Sequence, residues 1–498
     1  MKKNLLIYLL TIAMTATTVS CDDEFLDQTP TDAVAAESAT ATTGSLFLIV
    51  NGIHRLMYTR QNSNGRGGYS AMMIHNDALG EDLVMNARAN SWWINMASWN
   101  DHTNEADNDT RHPWRVLYKV INNANIIIEG AEGAVGPEEE RNAALGQALA
   151  YRAFAHFRMV QLYGERYDPS GANEQLGIPL VITKSTNASE GQPRATVAAV
   201  YTQINEDLDE AITLLEGYDR PNTSHIDQSV AQGMKARIAL VQGNYEVAWE
   251  MAIAARDGYE LMDSTTYTSG FNDYTNDEWM WGGFYNEEQG SAFTNFMAWM
   301  SRNFSSSNIR GNPKSINSTL YDMIPKTDVR SAVFDPTGEH PNLPAGIEIS
   351  SRHKRFPYTN QKFLAYGTGD SRGDVPYMRA AEMYLIEAEA KARLDETGAA
   401  EALFELAVNR DPAYTLSSNT GQSLIDEILI QRRWELWGEG FRFNDLKRLN
   451  APLDRTGANH NASLINNLLE IPAGDPRWQW KIPLDELNAN PAIQSQNP

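Results

Sequence analysis

The chain of 498 residues is strongly acidic, with 64 acidic against 41 basic side chains and a formal net charge of −23 at pH 7. This balance repels a phosphate backbone and argues against nucleic acid as a partner. Hydrophobic residues make up 42% of the chain, which is enough for a large core and excludes a disordered protein.

The first twenty residues have the pattern of a secretory leader. Lysines at positions 2 and 3 precede an apolar run over residues 5–13, which is too short to span a bilayer. Cys21, the only cysteine in the sequence, follows directly. This arrangement resembles a bacterial lipoprotein site, where the thiol is acylated. The sequence therefore predicts a signal peptide over residues 1–20, lipidation at Cys21 and a lipidated tether over residues 21–43.

Helical patterns dominate two stretches of the chain. Individual helices are predicted over residues 41–58, 113–132, 138–163, 196–216 and 227–242. Together with the region from 375 to 449, these helices predict a scaffold over about 110–260 and 375–449.

Each half of this scaffold contains one copy of the same helix–glycine–helix pattern. Each copy has a helix rich in small residues, a glycine, and a second helix with alanines at the contact positions. The copies are residues 234–252 and residues 384–407. Both resemble tetratricopeptide repeats, in which neighbouring helix pairs bury each other's faces.

Residues 61–109 and 261–374 lack helical periodicity and are rich in Gly, Asn, Ser and aromatic residues. With residues 450–498 they form a predicted irregular lobe. Long irregular insertions on a rigid scaffold commonly carry binding residues. We therefore expect the ligand site in this lobe.

The aromatic residues of the two insertions suit a sugar ligand. An indole ring packs against the C–H face of a pyranose ring, while arginine side chains can donate to its hydroxyls. We expect these side chains to converge on one shallow, exposed site, to which not all of them contribute. The candidates are Trp92, Trp93, Trp99, Trp281, Tyr285 and Trp299, helped by Arg88 and Arg302. The alternative is that the tryptophans form the lobe's own core.

The sequence contains none of the common catalytic motifs, such as HExxH, G-x-S-x-G or a P-loop. His156 is interpreted as a packed core histidine. The acidic residues between Asp101 and Asp109 could hold calcium but miss the calcium-loop register, and a helix cap before Pro113 is the preferred interpretation. We predict no enzyme, no cofactor and no metal, although an acid/base pair of carboxylates stays open.

Residues 423–449 predict one continuous helix with Ser423 as its N-cap. Arg432, Glu435, Glu439 and Arg442 are spaced three or four apart, which places such side chains side by side on one helix face. We interpret these charges as a structural ion network. Glycines at 438 and 440 would each cost about 1 kcal/mol inside a helix, so they indicate a close backbone approach or an early helix end.

The string QRRWELWGEGFRFNDLKR at residues 431–448 strongly resembles the C-terminal signature of the SusD/RagB family, with Gln431 in place of the usual acidic residue. Further segments resemble other family strings. They are residues 25–31, 151–164, 374–382 and 480–498. The resemblance therefore touches both ends and the middle of the chain.

The resemblance implies a mainly α, SusD-like fold, with helical pairs and a large irregular ligand-binding lobe in a single domain over residues 44–498. It also implies a lipoprotein of the outer membrane that faces the cell exterior, binds oligosaccharides or other nutrients, and delivers them to a TonB-dependent SusC-like transporter. The acidic run at residues 22–24 resembles the surface-export signal of Bacteroidetes lipoproteins. A surface-anchored glycoside hydrolase and a protein-binding repeat scaffold are the alternatives.

Overall fold

The computed structural model describes residues 39–186, 188–286, 293–340 and 342–498. The predicted signal peptide, Cys21 and most of the predicted tether lie outside these ranges. No helix within them is long and apolar enough to cross a membrane. The described chain is mainly helical, as the sequence predicts.

Seventeen α-helices lie in the described residues. In chain order they are α1 (Thr43–Tyr58), α2 (Gly68–Leu79), α3 (Ile94–Ala97), α4 (Asn108–Gly130), α5 (Glu138–Tyr163), α6 (Val197–Leu214), α7 (Gln228–Gln242), α8 (Tyr245–Arg256), α9 (Ser264–Tyr267), α10 (Met297–Met300), α11 (Ser307–Gly311), α12 (Ser318–Asp322), α13 (Ala380–Arg393), α14 (Ala399–Arg410), α15 (Gly421–Glu435), α16 (Arg442–Arg448) and α17 (Leu484–Ala489). Two 3₁₀ helices add Val329–Val333 and Pro476–Trp478.

The strands are short and all pair antiparallel. They are β1 (Arg60–Gln61), β2 (Ser63–Gly67), β3 (Leu83–Met85), β4 (Leu176–Pro179), β5 (Arg194–Thr196), β6 (Trp279–Gly283), β7 (Lys314–Ile316), β8 (Phe334–Asp335), β9 (Thr359–Asn360), β10 (Val375–Arg379), β11 (Leu453–Asp454) and β12 (Glu470–Ile471). The pairs are β1–β2, β4–β5, β6–β10 and β11–β12, and one sheet has the order β3-β7-β9-β8.

The four-stranded sheet joins the two irregular insertions. Strand β3 belongs to the first insertion, whereas β7, β8 and β9 belong to the second. Leu83 pairs with Ile316, and Met85 pairs with Lys314. The two segments that the sequence marks as irregular therefore fold against each other, which brings their side chains to one part of the molecule.

The helices pack in a continuous series. Helix α1 contacts α4 and α5, and the series continues through α6, α7 and α8. Helix α8 then packs against α13, which in turn contacts α14 and α15. The two predicted repeats, α7–α8 and α13–α14, are therefore neighbours in space although the second insertion separates them in sequence. Strand β6 pairs with β10 immediately before α13 and closes the insertion onto the scaffold.

The prediction of one helix over residues 423–449 is wrong. Helix α15 ends at Glu435 and α16 begins at Arg442. Gly438 and Gly440 have φ values of 81° and 84°, in the left-handed region that breaks an α-helix. At position 440 an added Cβ would lie 2.6 Å from the Cα of Met73, so a second backbone lies against this turn. Thr420, rather than Ser423, occupies the N-cap position.

Arg448 pairs with Asp445 along α16 at 2.7 Å, whereas the two glutamates of this segment pair with other elements. Glu435 contacts Arg379 of β10 at 3.0 Å and Arg410 of α14 at 3.1 Å. Glu439 contacts Lys362 at 2.6 Å and Arg379 at 2.7 Å. The two glutamates and these partners are buried. The interpretation as a structural ion network is confirmed, and the network ties α15 to both the scaffold and the second insertion.

Candidate functional site

A loop over residues 86–93 joins β3 to α3. Three of its non-glycine residues, Ala89, Ser91 and Trp93, have positive φ values of 40°, 63° and 67°. Each such conformation costs about 1–3 kcal/mol and persists only where the surroundings enforce it. Backbone strain of this kind clusters at ligand-binding sites, which makes the loop a candidate binding element.

Hydrogen bonds fix this loop against the second insertion. The side-chain oxygen of Asn312 accepts from the backbone N–H groups of Asn86 and Ala87 at 2.9 and 3.1 Å. Asn90 donates to the hydroxyl of Ser307 at 2.9 Å. The loop is therefore ordered before a ligand arrives, and such preorganisation lowers the entropic cost of binding.

Three tryptophans meet at this loop. The ring centroids of Trp92 and Trp299 are 4.9 Å apart, and those of Trp93 and Trp299 are 5.5 Å apart. Trp93 and Trp299 are buried, whereas Trp92 is half-buried. The backbone of Gly65 lies against Trp92, since an added Cβ there would be 2.8 Å from the indole ring. Trp92 therefore lies between the β1–β2 hairpin and the buried ring of Trp299, to which its own ring is tilted by 54°.

Two indole N–H groups and one arginine side chain are polar groups of this region. Among the described residues, no acceptor lies within hydrogen-bonding reach of the buried indole N–H of Trp93 or of Trp299, an arrangement that proteins normally avoid. Arg88 is exposed in the same loop. We call Arg88, Trp92, Trp93 and Trp299 the Trp92 surface. It combines a half-buried indole with an exposed guanidinium group in the same loop.

Three other candidates belong to the core and not to this surface. The indole N–H of Trp99 donates to Leu79 O at 2.9 Å, and its ring packs at 4.8 Å against Trp478. Trp281 donates to Ser224 O at 3.2 Å. Tyr285 lies 3.2 Å from the hydroxyl of Ser70. These three candidates therefore do not share an exposed site with Trp92, because their rings are buried between insertion and scaffold.

Arg302 is also buried. Its Nε donates to His340 Nε2 at 2.8 Å, and its Nη2 donates to Lys354 O at 3.1 Å. Burial lowers the pKa of Arg302 to about 10, and burial followed by Arg302 itself lowers the pKa of His340 to about 4. His340 is therefore neutral at pH 7 and can accept this bond. Arg302 stabilises the second insertion from within.

Sequence reasoning did not select the exposed aromatic residues of the second insertion, which include Phe284, Phe293 and Tyr366. Phe293 has 48% of its surface exposed, and its ring packs 5.8 Å from that of Phe304. It precedes the helix that carries Trp299. Nothing in the local pattern separates an exposed phenylalanine from a buried one, so no signal in the sequence could have selected it.

The acidic run at residues 101–109 forms a helix cap. The carboxylate of Asp107 accepts from the backbone N–H of Asp109 at 2.7 Å and begins α4. Burial, followed by the charges of Asp107 and Asp109, raises the pKa of Asp101 to about 7. In the described ranges no group of three or more His, Cys, Asp or Glu side chains is placed to hold a metal ion. His156 is a buried histidine, as expected.

Comparison with known families decides the relationship. A model described as "starch-binding associating with outer membrane" matches residues 25–240, and the model of the SusD family matches residues 245–498. This chain belongs to the SusD family. The signature residues of α15 and α16 lie in the buried ion network, so in this SusD-family chain they hold the fold and do not form the Trp92 surface.

Individual relatives of known structure or sequence are also SusD-like proteins. A SusD-like carbohydrate binding protein from Bacteroides vulgatus is 26% identical, with a TM-score of 0.79 over 91% of this chain and 98% of that one. A laminarin binding SusD-like protein shares the fold at 19% identity, with a TM-score of 0.70 over 92% and 99% of the two chains. SusD-like protein P25 of Formosa agariphila is 22% identical over 95% of each chain.

Proposed function

We propose that this protein is a non-enzymatic surface lipoprotein that binds oligosaccharides at the Trp92 surface and delivers them to a SusC-like outer-membrane transporter. The observation that carries the proposal is the half-exposed ring of Trp92, held by a strained, preorganised loop. A rigid indole face matches the C–H face of a pyranose, and Arg88 can donate to the ring hydroxyls. Related proteins are described as a carbohydrate binding protein and a laminarin binding protein.

A glycan array tests the ligand class. The purified chain from residue 22 onward is applied to oligosaccharides of plant, algal and bacterial origin, and bound members are then titrated. We expect micromolar to millimolar affinity for one family of neutral glycans. If no glycan binds while proteins are captured reproducibly, the protein-binding repeat scaffold is the better description.

The same glycans test the absence of catalysis. Each bound oligosaccharide is incubated with the protein, and newly formed reducing ends are measured over a day. We expect no release above a heat-denatured control. Sustained release that scales with protein concentration would make the chain a surface glycoside hydrolase instead.

The membrane anchor rests on Cys21. Cys21→Ala should give a folded protein that is released from the membrane or left unprocessed, because the predicted acyl chains attach only through this thiol. Palmitate labelling of the wild type and the variant checks this expectation. Labelling that persists in Cys21→Ala would place the anchor elsewhere.

The transporter partner is tested by co-purification. Stable protein–protein interfaces bury more than about 1,000 Å², so a paired barrel should remain bound after gentle solubilisation of the outer membrane. Affinity-tagged wild-type protein should recover a TonB-dependent barrel in near-equal amount. Repeated recovery of the tagged chain alone would contradict the delivery step.

A further inference from the structure

A cleft in the molecule shares no lining residue with the Trp92 surface. It is a cleft of about 340 Å³ between α1, β6 and the loop that precedes α7. Ligand pockets in proteins occupy about 300–1,000 Å³, are mostly aromatic or apolar, and carry a few polar groups. This cleft falls at the small end of that range.

The walls of the cleft are aromatic. They include Tyr58, Tyr151, Trp281, Phe284 and Tyr377. The rings of Trp281 and Tyr377 are 5.0 Å apart, and those of Trp281 and Tyr151 are 5.9 Å apart. Gly283 leaves room for the Tyr377 ring, since an added Cβ would lie 2.6 Å from its hydroxyl oxygen. The backbone and the rings together leave a flat-sided space.

The frame of the cleft is rigid without a ligand. Arg220 donates to Met280 O at 2.6 Å and to His225 O at 3.1 Å, and it pairs with Asp227 at 2.8 Å. The N–H of Gly282 also donates to Thr223 O at 3.2 Å. These bonds attach the loop before α7 to β6, so the cleft is preformed.

The cleft is uncharged in a chain of net charge −23. Burial, followed by the charge of His225, lowers the pKa of His54 to about 3. Burial, followed by the charge of Arg220, lowers the pKa of His225 to about 4. At pH 7 both imidazoles are neutral, and the other described lining residues have no ionised side chain. At the mouth, the amides of Asn51 and Asn222 are exposed, and the Asn222 side-chain oxygen accepts from the Ser224 hydroxyl at 2.6 Å.

We propose that this cleft is a second binding site, selective for a single neutral sugar residue or a free neutral monosaccharide. Aromatic walls suit the apolar faces of a pyranose, and amides suit its hydroxyls. An ionised sugar would lose hydration, and no described side chain that lines the cleft offers it a counter-charge. The assignment of a sugar as the ligand rests on the proposed function. The assignment of the cleft as a binding site does not.

The test uses ligand-observed NMR with glucose, galactose, mannose, xylose and N-acetylglucosamine, and with glucuronate and galacturonate as anionic partners. We expect at least one neutral sugar to bind, and its uronate to bind at least about tenfold more weakly. Asn51→Trp places an indole at the mouth and should weaken binding at least about tenfold. Leu48→Trp is the matched control, because Leu48 is 71% exposed on the same helix and does not line the cleft.

Trp92→Ala separates this inference from the proposed function. It should reduce oligosaccharide binding and leave monosaccharide binding at the cleft unchanged. If no neutral monosaccharide binds, or if Asn51→Trp binds as the wild type does, the cleft proposal fails while the Trp92 surface can still stand. If monosaccharides bind at the cleft but no oligosaccharide binds, the proposed function fails alone.

Crystals soaked with a selenium-labelled methyl glycoside of the best-binding sugar give the location directly. The anomalous peak should lie between Trp281 and Tyr58. A peak found only at the Trp92 surface, or none at all under saturating conditions, would overturn the assignment.

Discussion

At the residue scale, a charge can be essential without taking part in binding. Glu435 is fully buried among three arginines. Burial raises the pKa of Glu435. The charges of Arg410, Arg379 and Arg330 outweigh burial and hold this pKa well below its usual value. Removing one partner from a buried ionic cluster leaves uncompensated charge. The carboxylate therefore stabilises the contact between α15, α14 and the second insertion.

Glu435→Gln should lower the free energy of unfolding by about 3–5 kcal/mol. Glutamine keeps the size and shape of glutamate, but the surrounding arginines lose their counter-charge. Urea denaturation followed by circular dichroism measures the loss. Glu405→Gln is the control: Glu405 is exposed on α14, and a surface change of this kind stays within about 0.5 kcal/mol. Equal stability of the two variants would contradict a structural network.

At the scale of elements, the turn between α15 and α16 depends on glycine. Gly440 combines a positive φ with a neighbouring backbone 2.6 Å from any added Cβ. Gly421 has a φ of 55° but nothing within 4 Å of an added Cβ. The two positions therefore separate the cost of backbone strain from the cost of a steric clash.

Gly421→Ala should cost about 1–2 kcal/mol, which is the price of a left-handed conformation alone. Gly440→Ala should cost about 1–3 kcal/mol more, because Met73 must also move. Thermal denaturation of both variants and the wild type gives the comparison. If Gly440→Ala is no less stable than Gly421→Ala, the close approach to Met73 does not constrain the fold.

Sequence patterns predicted the presence of helices better than the positions at which a helix breaks. Helix α5 has the predicted bounds, since its apolar pattern and its flanking Pro137 and Gly164 act locally. Gly438 and Gly440 mark the break after Glu435 in the sequence, but Met73, which packs against Gly440, is remote in sequence. For the same reason, composition could mark the tryptophans of the insertions but could not assign Trp99 to the core and Trp92 to the surface. Burial is set by partners that only the fold brings together.

At the scale of the whole molecule, the histidines couple folding to pH. All nine lie in described ranges, and burial lowers the pKa of each one, to about 3 for His54, His75, His102, His112 and His156. The unfolded chain takes up protons near pH 6.5, whereas the folded chain does not. The stability that neutral burial provides is therefore complete above pH 6.5 and is lost as the pH falls below it.

We expect the thermal midpoint to fall steadily between pH 7.5 and pH 5. A fully buried histidine contributes a loss of about 2 kcal/mol over that range. Four aspartates with raised pKa act in the opposite direction, namely Asp77, Asp101, Asp227 and Asp374, but the histidines outnumber them. Calorimetry across this range checks the expectation, and a midpoint that rises toward pH 5 would contradict it.

The central claim is that the half-buried indole of Trp92, on a preformed loop, binds the glycan. Trp92→Ala tests it, with Trp249→Ala as the matched control. Trp249 is likewise half-buried but lies on α8 of the scaffold, beneath the ammonium group of Lys391. Thermal midpoints of both variants establish the folded fraction before any affinity is compared.

The deciding measurement is calorimetric titration of wild type, Trp92→Ala and Trp249→Ala with the glycan that the array identifies. Loss of a central aromatic anchor costs about 2 kcal/mol, so Trp92→Ala should bind more than about tenfold more weakly than the wild type. Trp249→Ala should retain wild-type affinity. Wild-type affinity in folded Trp92→Ala would show that the glycan binds elsewhere.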